Sequence, residues 1–219
     1  MDSLFFKEEH VMIRDMVRNF SDGQIMPLAR SLDEEERFPL ELVQEMGRLG
    51  LMGMIVPQEY GGSGLDMVAF ATAIIELARA DASVAITMAA HNSLGTLPLL
   101  LFGNDDQKRS YLPKLASGEI LGAFGLTEPE AGSDAGATKT RAIKSNNDYV
   151  VNGGKIFITN AGKAGLLSFT AQVIDSGNNI GIAAFIIPTD TPGLENGKKE
   201  KKIGRKASDT THILSLIHI

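Results

Sequence analysis

Residues 121–134, with the sequence LGAFGLTEPEAGSD, divide the chain into two parts that differ in pattern. Before this stretch apolar residues recur at helical spacing, for example along residues 13–20. After it, short β-branched or aromatic runs alternate with turns rich in Gly, Asn and Ser. The predicted fold class is therefore α+β, with an antiparallel helical domain over residues 1–120 and a small antiparallel β-barrel or sandwich over residues 121–212.

Local signals predict where several helices begin and end. Ser21-Asp22-Gly23 is predicted to end the first helix, and Pro39 to open the next one. Asn104 and Gln107 resemble a capping box at the start of a helix that Pro113 is predicted to limit.

Two further helical stretches are strongly apolar. Asp66 is predicted to cap a helix with four apolar residues on one face: Val68, Ala71, Ile75 and Ala78. Residues 82–102 carry no formal charge and are long enough to span a bilayer. Because polar residues, Gly95 and Pro98 interrupt this stretch, we interpret it as a buried core helix.

The composition excludes several classes of function. The chain has 21 basic and 27 acidic side chains, and this net charge of −6 argues against a nucleic-acid partner. It has no cysteine, so it contains no disulfide and no thiolate nucleophile, and its four scattered histidines do not predict a metal site. Residues 1–9 resemble neither a signal peptide nor a transit peptide. We therefore expect a bacterial cytoplasmic protein without a membrane partner, and a mitochondrial matrix protein is the alternative.

The stretch Gly125–Asp134 leaves an apolar run and enters a turn rich in Gly, Ser and Asp. Such a turn can direct successive backbone N–H groups and a serine hydroxyl toward one point, which suits a pyrophosphate. An ordinary surface loop is the alternative that the residues alone leave open.

This stretch also resembles the signature of the acyl-CoA dehydrogenase family. Five further segments follow the family's order and approximate spacing: Tyr60–Gly64, Asn92–Gly95, Gly103-Asn104, Gly154–Asn160 and Ile203–Thr210. The resemblance extends from about Leu4 to Thr210 and is nearest to the short-chain, butyryl-type branch.

The resemblance implies FAD-dependent oxidation of acyl-CoA thioesters to trans-2-enoyl-CoA, with electrons passed to an electron-transfer flavoprotein. Residues implied to bind FAD are Phe124, Leu126, Thr127, Gly132, Ser133, Phe157, Ile158 and Thr159. Ser133 and His91 are implied to contact the substrate, although a hydrogen-bonded core histidine is an equal alternative for His91. An amide and the Thr127 hydroxyl would stabilise negative charge on the reduced flavin, and the Thr159 hydroxyl would reach flavin N5.

The resemblance also implies what this chain lacks. The family's catalytic glutamate lies in a C-terminal helical domain, which we expect to be missing here, so no catalytic residue is assigned. Glu128 is interpreted as a structural residue. Residues 213–219 depart from the family and are interpreted as a non-native run-on tail, with a genuine edge strand as the alternative. A homotetramer is expected only for the full-length protein.

Two other functions remain open. Acyl-CoA oxidases and flavin monooxygenases share these domains but pass electrons to oxygen. A non-enzymatic fragment that binds acyl-CoA or flavin is the second alternative. The cations within residues 198–206 are interpreted as a solvated face rather than a phosphate site.

Overall fold

The computed structural model describes residues 6–218, so the predictions for residues 1–5 and for Ile219 lie outside the described part of the chain. The chain forms two compact units, Met1–Ile120 with Lys201–Ser208, and Leu121–Glu200 with Asp209–Ile219. The first unit is helical and the second is a mixed β-sheet, which confirms the α+β class.

Seven α-helices form most of the described part of the helical unit: α1 Glu8–Phe20, α2 Met26–Glu34, α3 Leu40–Arg48, α4 Met67–Ala80, α5 Ala82–Ala90, α6 Leu97–Phe102 and α7 Asp105–Ala116. Pro39 stands at the N-cap of α3, and the buried residues Leu42, Val43 and Met46 lie on its inner face. The capping box at Asn104 and Gln107 is also present, with both reciprocal hydrogen bonds formed.

The predicted end of the first helix is wrong. The helical path continues through Ser21-Asp22-Gly23 as a π-helical segment, Ser21–Ile25, which leads directly into α2. A second π-helical segment, His91–Thr96, joins α5 to α6. Both segments precede a proline in the first turn of the next helix, Pro27 and Pro98. A proline ring clashes with the carbonyl four residues earlier, and we attribute the wider π turn to this local crowding.

Pro113 does not end α7, which continues to Ala116. A proline inside a helix removes one backbone hydrogen bond, and here the loss falls in the last turns of the helix. The buried Leu112, Leu115 and Ala116 hold these turns in the core, so packing outweighs the local signal.

Asp66 caps α4 as predicted, because its carboxylate accepts hydrogen bonds from the Val68 and Ala69 N–H groups. The apolar stripe predicted on this helix faces solvent, and Ile75 is 66% exposed. The buried face carries a different set, which includes Ala69, Phe70, Ala73 and Leu77. This helix is apolar on both faces, so periodicity alone selected the wrong one.

Residues Ala82–Phe102 form one helical run of 21 residues that is apolar and long enough to cross a bilayer. Of its most apolar window, 56% is buried inside the protein. That burial agrees with the interpretation of the run as a core helix.

The described part of the β unit contains seven strands: β1 Leu121–Gly125, β2 Arg141–Ser145, β3 Asp148–Thr159, β4 Ala164–Asp175, β5 Asn178–Pro188, β6 Leu194–Lys199 and β7 Thr210–His218. The pairs β2–β3, β3–β7, β4–β5 and β6–β7 are antiparallel. The pairs β1–β4 and β2–β4 are parallel, so the expectation of a wholly antiparallel sheet is corrected. The β2–β3 hairpin lies between β1 and β4 in the chain and provides the long connection that parallel neighbours need.

Strand β7 includes Ile213–His218, which are predicted from the sequence to belong to a non-native tail. It pairs with β3 on one side and with β6 on the other, so it is an interior strand of the sheet rather than an edge. Whether these residues are native stays a prediction. Lys201–Ser208, which the sequence analysis placed in the β domain, belongs to the helical unit.

A core of apolar side chains lies beneath the sheet and includes Ala123, Val151, Ile158, Leu167 and Phe169. Alternation along β1 and β3 directs these residues inward, and their chain neighbours therefore face outward. That alternation determines which residues of the LGAFGLTEPEAGSD stretch are accessible.

Candidate functional site

A buried ion pair lies behind the stretch that carries the predicted cofactor residues. The Lys155 ammonium and a Glu128 carboxylate oxygen are 2.7 Å apart, and each side chain is 4% exposed. Lys155 comes from β3, and Glu128 from the turn after β1. Gly125 makes this approach feasible, because a Cβ there would lie 3.1 Å from Cγ of Lys155.

Glu128 also fixes the far end of the loop. Its carboxylate accepts hydrogen bonds from the Thr138 hydroxyl, from the Lys139 N–H at 2.5 Å and from the Thr140 N–H at 3.1 Å. Its own N–H donates to the Ala131 carbonyl at 2.9 Å. One buried carboxylate thus closes the loop onto itself, which agrees with a structural role for Glu128.

The two charges affect each other's protonation. Burial by itself would raise the pKa of Glu128, but hydrogen bonds from Lys155 and the residues at 138–140 outweigh it and lower that pKa to about 2. Burial lowers the pKa of Lys155, and the hydrogen bond to Glu128 opposes this change. Glu128 is therefore ionised near neutral pH, and its carboxylate oxygens accept hydrogen bonds from its own loop.

Lys155 also reaches the start of the loop, where its ammonium donates to the Leu126 carbonyl at 3.0 Å. The next carbonyl, that of Thr127, accepts the Ile156 N–H at 2.8 Å. Two consecutive carbonyls therefore point toward β3. Among the described residues, no group accepts a hydrogen bond from the Thr127 N–H.

Phe157 lies at a bulge in β3. The register with β7 shifts between Lys155 and Ile158, and Phe157 has φ +58. Left-handed backbone is costly for a bulky residue and is concentrated at functional sites. The Phe157 side chain is nevertheless 60% exposed, so burial of its ring within the described chain does not explain the conformation.

The predicted cofactor residues divide into two groups. Leu126 is 38% exposed, and Phe124, Thr127 and Thr159 are half-buried. Together with Phe157 we call these five residues the outer face, and that they form one surface stays a prediction. Ile158 is 1% exposed and belongs to the core, because alternation turns its side chain inward, so its predicted contact with the cofactor is left to its backbone and stays a prediction.

Gly132 and Ser133 lie at the exposed tip of the loop that Glu128 closes. A Cβ at Gly132 would meet no atom within 4 Å, so the backbone there is open to a ligand. That Thr127, Ser133 and Thr159 converge on one concave surface stays a prediction.

A turn supports the end of β3 beside Thr159. Asn160 has φ +70, and its N–H donates to the Asp209 carbonyl at 3.0 Å. The Asp209 carboxylate accepts the Gly162 N–H at 2.7 Å. Two segments quoted for the family resemblance, Gly154–Asn160 and Ile203–Thr210, thus meet at Asp209.

His91 lies in the core of the helical unit with 0% exposure. Its Nε2–H donates to the carbonyls of Met52 and Leu115, both at 3.0 Å. Burial lowers the pKa of His91 to about 4, so it is neutral at physiological pH. The predicted substrate contact by His91 is corrected, because its side chain is enclosed and hydrogen-bonded to backbone on two sides.

The β unit contains a cavity of about 570 Å³ that is lined in part by the ion pair. Its lining is Glu128, Pro129, Glu130, Lys139, Thr140, Arg141, Ile143, Asn152, Gly153, Gly154, Lys155, Ile156, His212 and Ile213. None of the predicted cofactor residues is in this lining. We therefore assign the candidate site by backbone donors and exposed rings rather than by cavity size.

Glu9, His10 and Asp66 offer three possible metal ligands within 4.8 Å of one another. His10 Nδ1 accepts the Lys7 N–H at 3.1 Å, and its Nε2–H donates to Asp66 at 3.0 Å. Asp66 meanwhile caps α4. Both ring nitrogens are occupied, so this cluster is a link between the starts of α1 and α4.

Comparison with known proteins identifies the family. The profile of the acyl-CoA dehydrogenase N-terminal domain matches residues 7–119, and that of the acyl-CoA dehydrogenase middle domain matches residues 123–215. The chain belongs to the acyl-CoA dehydrogenase family. The second match includes the first part of β7.

The chain is 48% identical over 208 residues to an acyl-CoA dehydrogenase of Bacillus subtilis, a match that covers 94% of this chain and 55% of that protein. Among solved structures it is similar to butyryl-CoA dehydrogenase from Megasphaera elsdenii, with TM-score 0.93 and 37% identity over 99% of this chain and 58% of that one. It is also similar to an acyl-CoA dehydrogenase from Bacillus anthracis complexed with FAD, with TM-score 0.90 and 40% identity over 98% of this chain and 37% of that one. The chain spans about half the length of the curated relatives it matches.

Proposed function

We propose that this chain carries the flavin-binding half of an FAD-dependent acyl-CoA dehydrogenase of the short-chain, butyryl type. The outer face of the β unit is the observation that carries the proposal. It combines an exposed ring, Phe157, with an exposed aliphatic side chain, Leu126, and with the Thr127 N–H, which has no acceptor among the described residues.

These residues fit a flavin chemically. An isoalloxazine ring has two apolar faces and one edge of carbonyl and nitrogen acceptors. Phe157 and Leu126 can cover a face, while the Thr127 N–H and the Thr127 and Thr159 hydroxyls can donate to the edge. Gly132 and Ser133 offer an open backbone and a hydroxyl to the pyrophosphate and the neighbouring CoA.

Bound FAD would supply the acceptor for the two electrons that leave with the β-hydrogen of an acyl-CoA thioester. The contribution of this chain is to bind, orient and shield. Donors at Thr127 and Thr159 favour the form of the flavin that carries more negative charge, and Phe157 excludes water from one face.

Proton removal from the α-carbon needs a positioned base. Glu128 is unsuited to this role, because it is buried, paired with Lys155 and held by three other donors. We propose that the base lies outside this chain and that electrons pass to an electron-transfer flavoprotein. Bacterial cytoplasm remains the proposed location.

A flavin titration tests the cofactor assignment. FAD fluorescence should be quenched by the wild-type chain, with weak affinity, and Phe157→Ala should weaken binding several-fold. Ile180→Ala is the matched control, because Ile180 is an apolar side chain of the same unit and is 63% exposed. Equal effects of the two substitutions would contradict the proposed flavin face.

An activity assay tests the location of the base. The purified chain should be colourless and should not reduce an artificial electron acceptor with butyryl-CoA, even with added FAD. Turnover would contradict the proposal and would direct attention to an acid within the chain, with Glu128→Gln as the next variant. Reoxidation by air, faster than by electron-transfer flavoprotein, would instead favour the oxidase alternative.

A further inference from the structure

The Leu126–Thr127 peptide group has an unusual pair of neighbours. Its carbonyl accepts from the buried Lys155 ammonium at 3.0 Å, whereas its N–H has no acceptor among the described residues. The carbonyl and the N–H of a trans peptide point in nearly opposite directions. The N–H of Thr127 is therefore directed away from Lys155.

A cation that is hydrogen-bonded to the carbonyl oxygen of a peptide group strengthens the N–H of the same group as a hydrogen-bond donor. Hydrogen bonds to charged groups are stronger than neutral ones, and successive hydrogen bonds polarise one another inside a protein. Lys155 is 4% exposed, so little water screens its charge from this peptide group.

We infer that Lys155 is a positioning residue of the flavin site, whose ammonium orients and polarises the Leu126–Thr127 peptide and thereby strengthens the Thr127 N–H as a donor toward negative charge on the ligand. The inference rests on the proposed function, because it takes the flavin as that ligand. Glu128 keeps the ammonium in place, and the hydroxyls of Thr138 and Thr170, at 3.0 and 3.3 Å, share its third N–H.

The test variant is the double substitution Glu128→Gln with Lys155→Met. Glutamine keeps an acceptor oxygen for the 138–140 end of the loop, methionine keeps most of the lysine stem, and no unpaired charge is buried. The control is Lys144→Met, which removes an exposed cation of the same unit that pairs with Asp175 at 3.3 Å.

The first measurement needs no flavin. In the ¹⁵N–¹H spectrum of the unliganded chain, the Thr127 amide resonance should move upfield in the double variant and should stay in place in Lys144→Met. A folded double variant with an unmoved Thr127 resonance would overturn the inference. If that variant does not fold, Thr170→Val serves instead, because removing a competing acceptor should move the resonance downfield, and no movement would overturn the inference.

The second measurement separates polarisation from general damage to the site. Affinity for oxidised FAD and for FAD reduced under anaerobic conditions is titrated for both proteins. The double variant should lose about tenfold more affinity for reduced than for oxidised FAD, equivalent to about 1.4 kcal/mol. Equal losses would overturn the inference and leave Lys155 a purely structural residue. If the wild-type chain binds neither form, the proposed function of this chain fails, and the amide resonance still decides the role of Lys155.

Discussion

Two buried titratable sites, one in each unit, are enclosed in different ways. In the helical unit His91 is enclosed as a neutral ring, and its one N–H donates to two backbone carbonyls. In the β unit Glu128 and Lys155 are enclosed as a charged pair that holds both ends of an exposed loop. The hydrogen bonds of His91 hold helical segments together, whereas the Glu128–Lys155 pair holds an exposed loop in place.

The difference affects what each unit can do. A neutral buried group stabilises packing but projects little field. A buried charge polarises nearby peptide groups, because the surrounding protein screens it less than water does. The Glu128–Lys155 pair can therefore both hold the loop in place and act electrostatically on the outer face. His91, which is neutral, contributes only to packing and hydrogen bonding.

The largest effect is expected from breaking the charged pair. Lys155→Met leaves the Glu128 carboxylate buried without its partner, which should lower the free energy of unfolding by about 3–5 kcal/mol. Lys144→Met, at an exposed ion pair, should cost no more than about 1 kcal/mol. Urea denaturation measures both, and similar losses would show that the Glu128–Lys155 pair is not effectively buried.

The neutral site predicts a pH effect instead. The pKa of His91 is lowered from 6.5 to about 4, so below pH 6.5 the unfolded chain takes up a proton that the folded chain refuses. Stability should therefore fall as pH drops from 6.5 to 4, by about 3 kcal/mol from this group. His91→Leu should be less stable at pH 7 by about 2 kcal/mol, because two carbonyls lose their donor.

His91→Leu should also remove the part of the pH-dependent loss of stability, between pH 6.5 and 4, that comes from His91. Urea denaturation at a series of pH values checks it, and the stability advantage of wild type over His91→Leu should shrink as pH falls and should be reversed near pH 4. The lowered pKa of Glu128 acts in a more acidic window, from its ordinary value of 4.5 down to about 2. A constant difference across pH 6.5 to 4 would mean that His91 is protonated in the folded chain.

The contrast also shows which features a sequence can reveal. Capping by Asp66 and by Asn104 depends on neighbours within three residues, and both were predicted correctly. The outer face was indicated by family resemblance, which grouped the buried Ile158 with it. The alternation of apolar residues along β3 predicts that the Ile158 side chain points inward.

Long-range features were missed for a physical reason. Glu128 and Lys155 are 27 positions apart, and no periodic pattern signals that they meet. The parallel pairing of β1 with β4 depends on the hairpin inserted between them. The continuous path of α1 into α2 depends on a π segment that accommodates Pro27, which a proline-and-glycine rule interprets as a break.

A smaller effect is expected at the strained residue that the outer face presents. Phe157→Gly should raise the free energy of unfolding by about 1 kcal/mol, because glycine adopts φ +58 freely and little ring burial is lost. The same substitution should weaken FAD binding. Ile180→Gly is the control and should lower stability by about 0.5–1 kcal/mol, since glycine weakens an ordinary strand. A loss of stability in Phe157→Gly would show that the bulge is not strained.

The smallest effect is expected on the outer side of the helical unit. Ile75 lies on the apolar face of α4 that is exposed to solvent, and Leu77 on the face that is fully buried. Ile75→Gln should change the free energy of unfolding by no more than about 0.5 kcal/mol, whereas Leu77→Ala should cost about 2–5 kcal/mol. Both are measured by urea denaturation at two protein concentrations. A cost at Ile75 that approaches the cost at Leu77, and that grows with concentration, would mean that another copy of the chain covers this face in solution. The contrast with the β unit, whose outer face is the one proposed to bind a ligand, would then no longer hold.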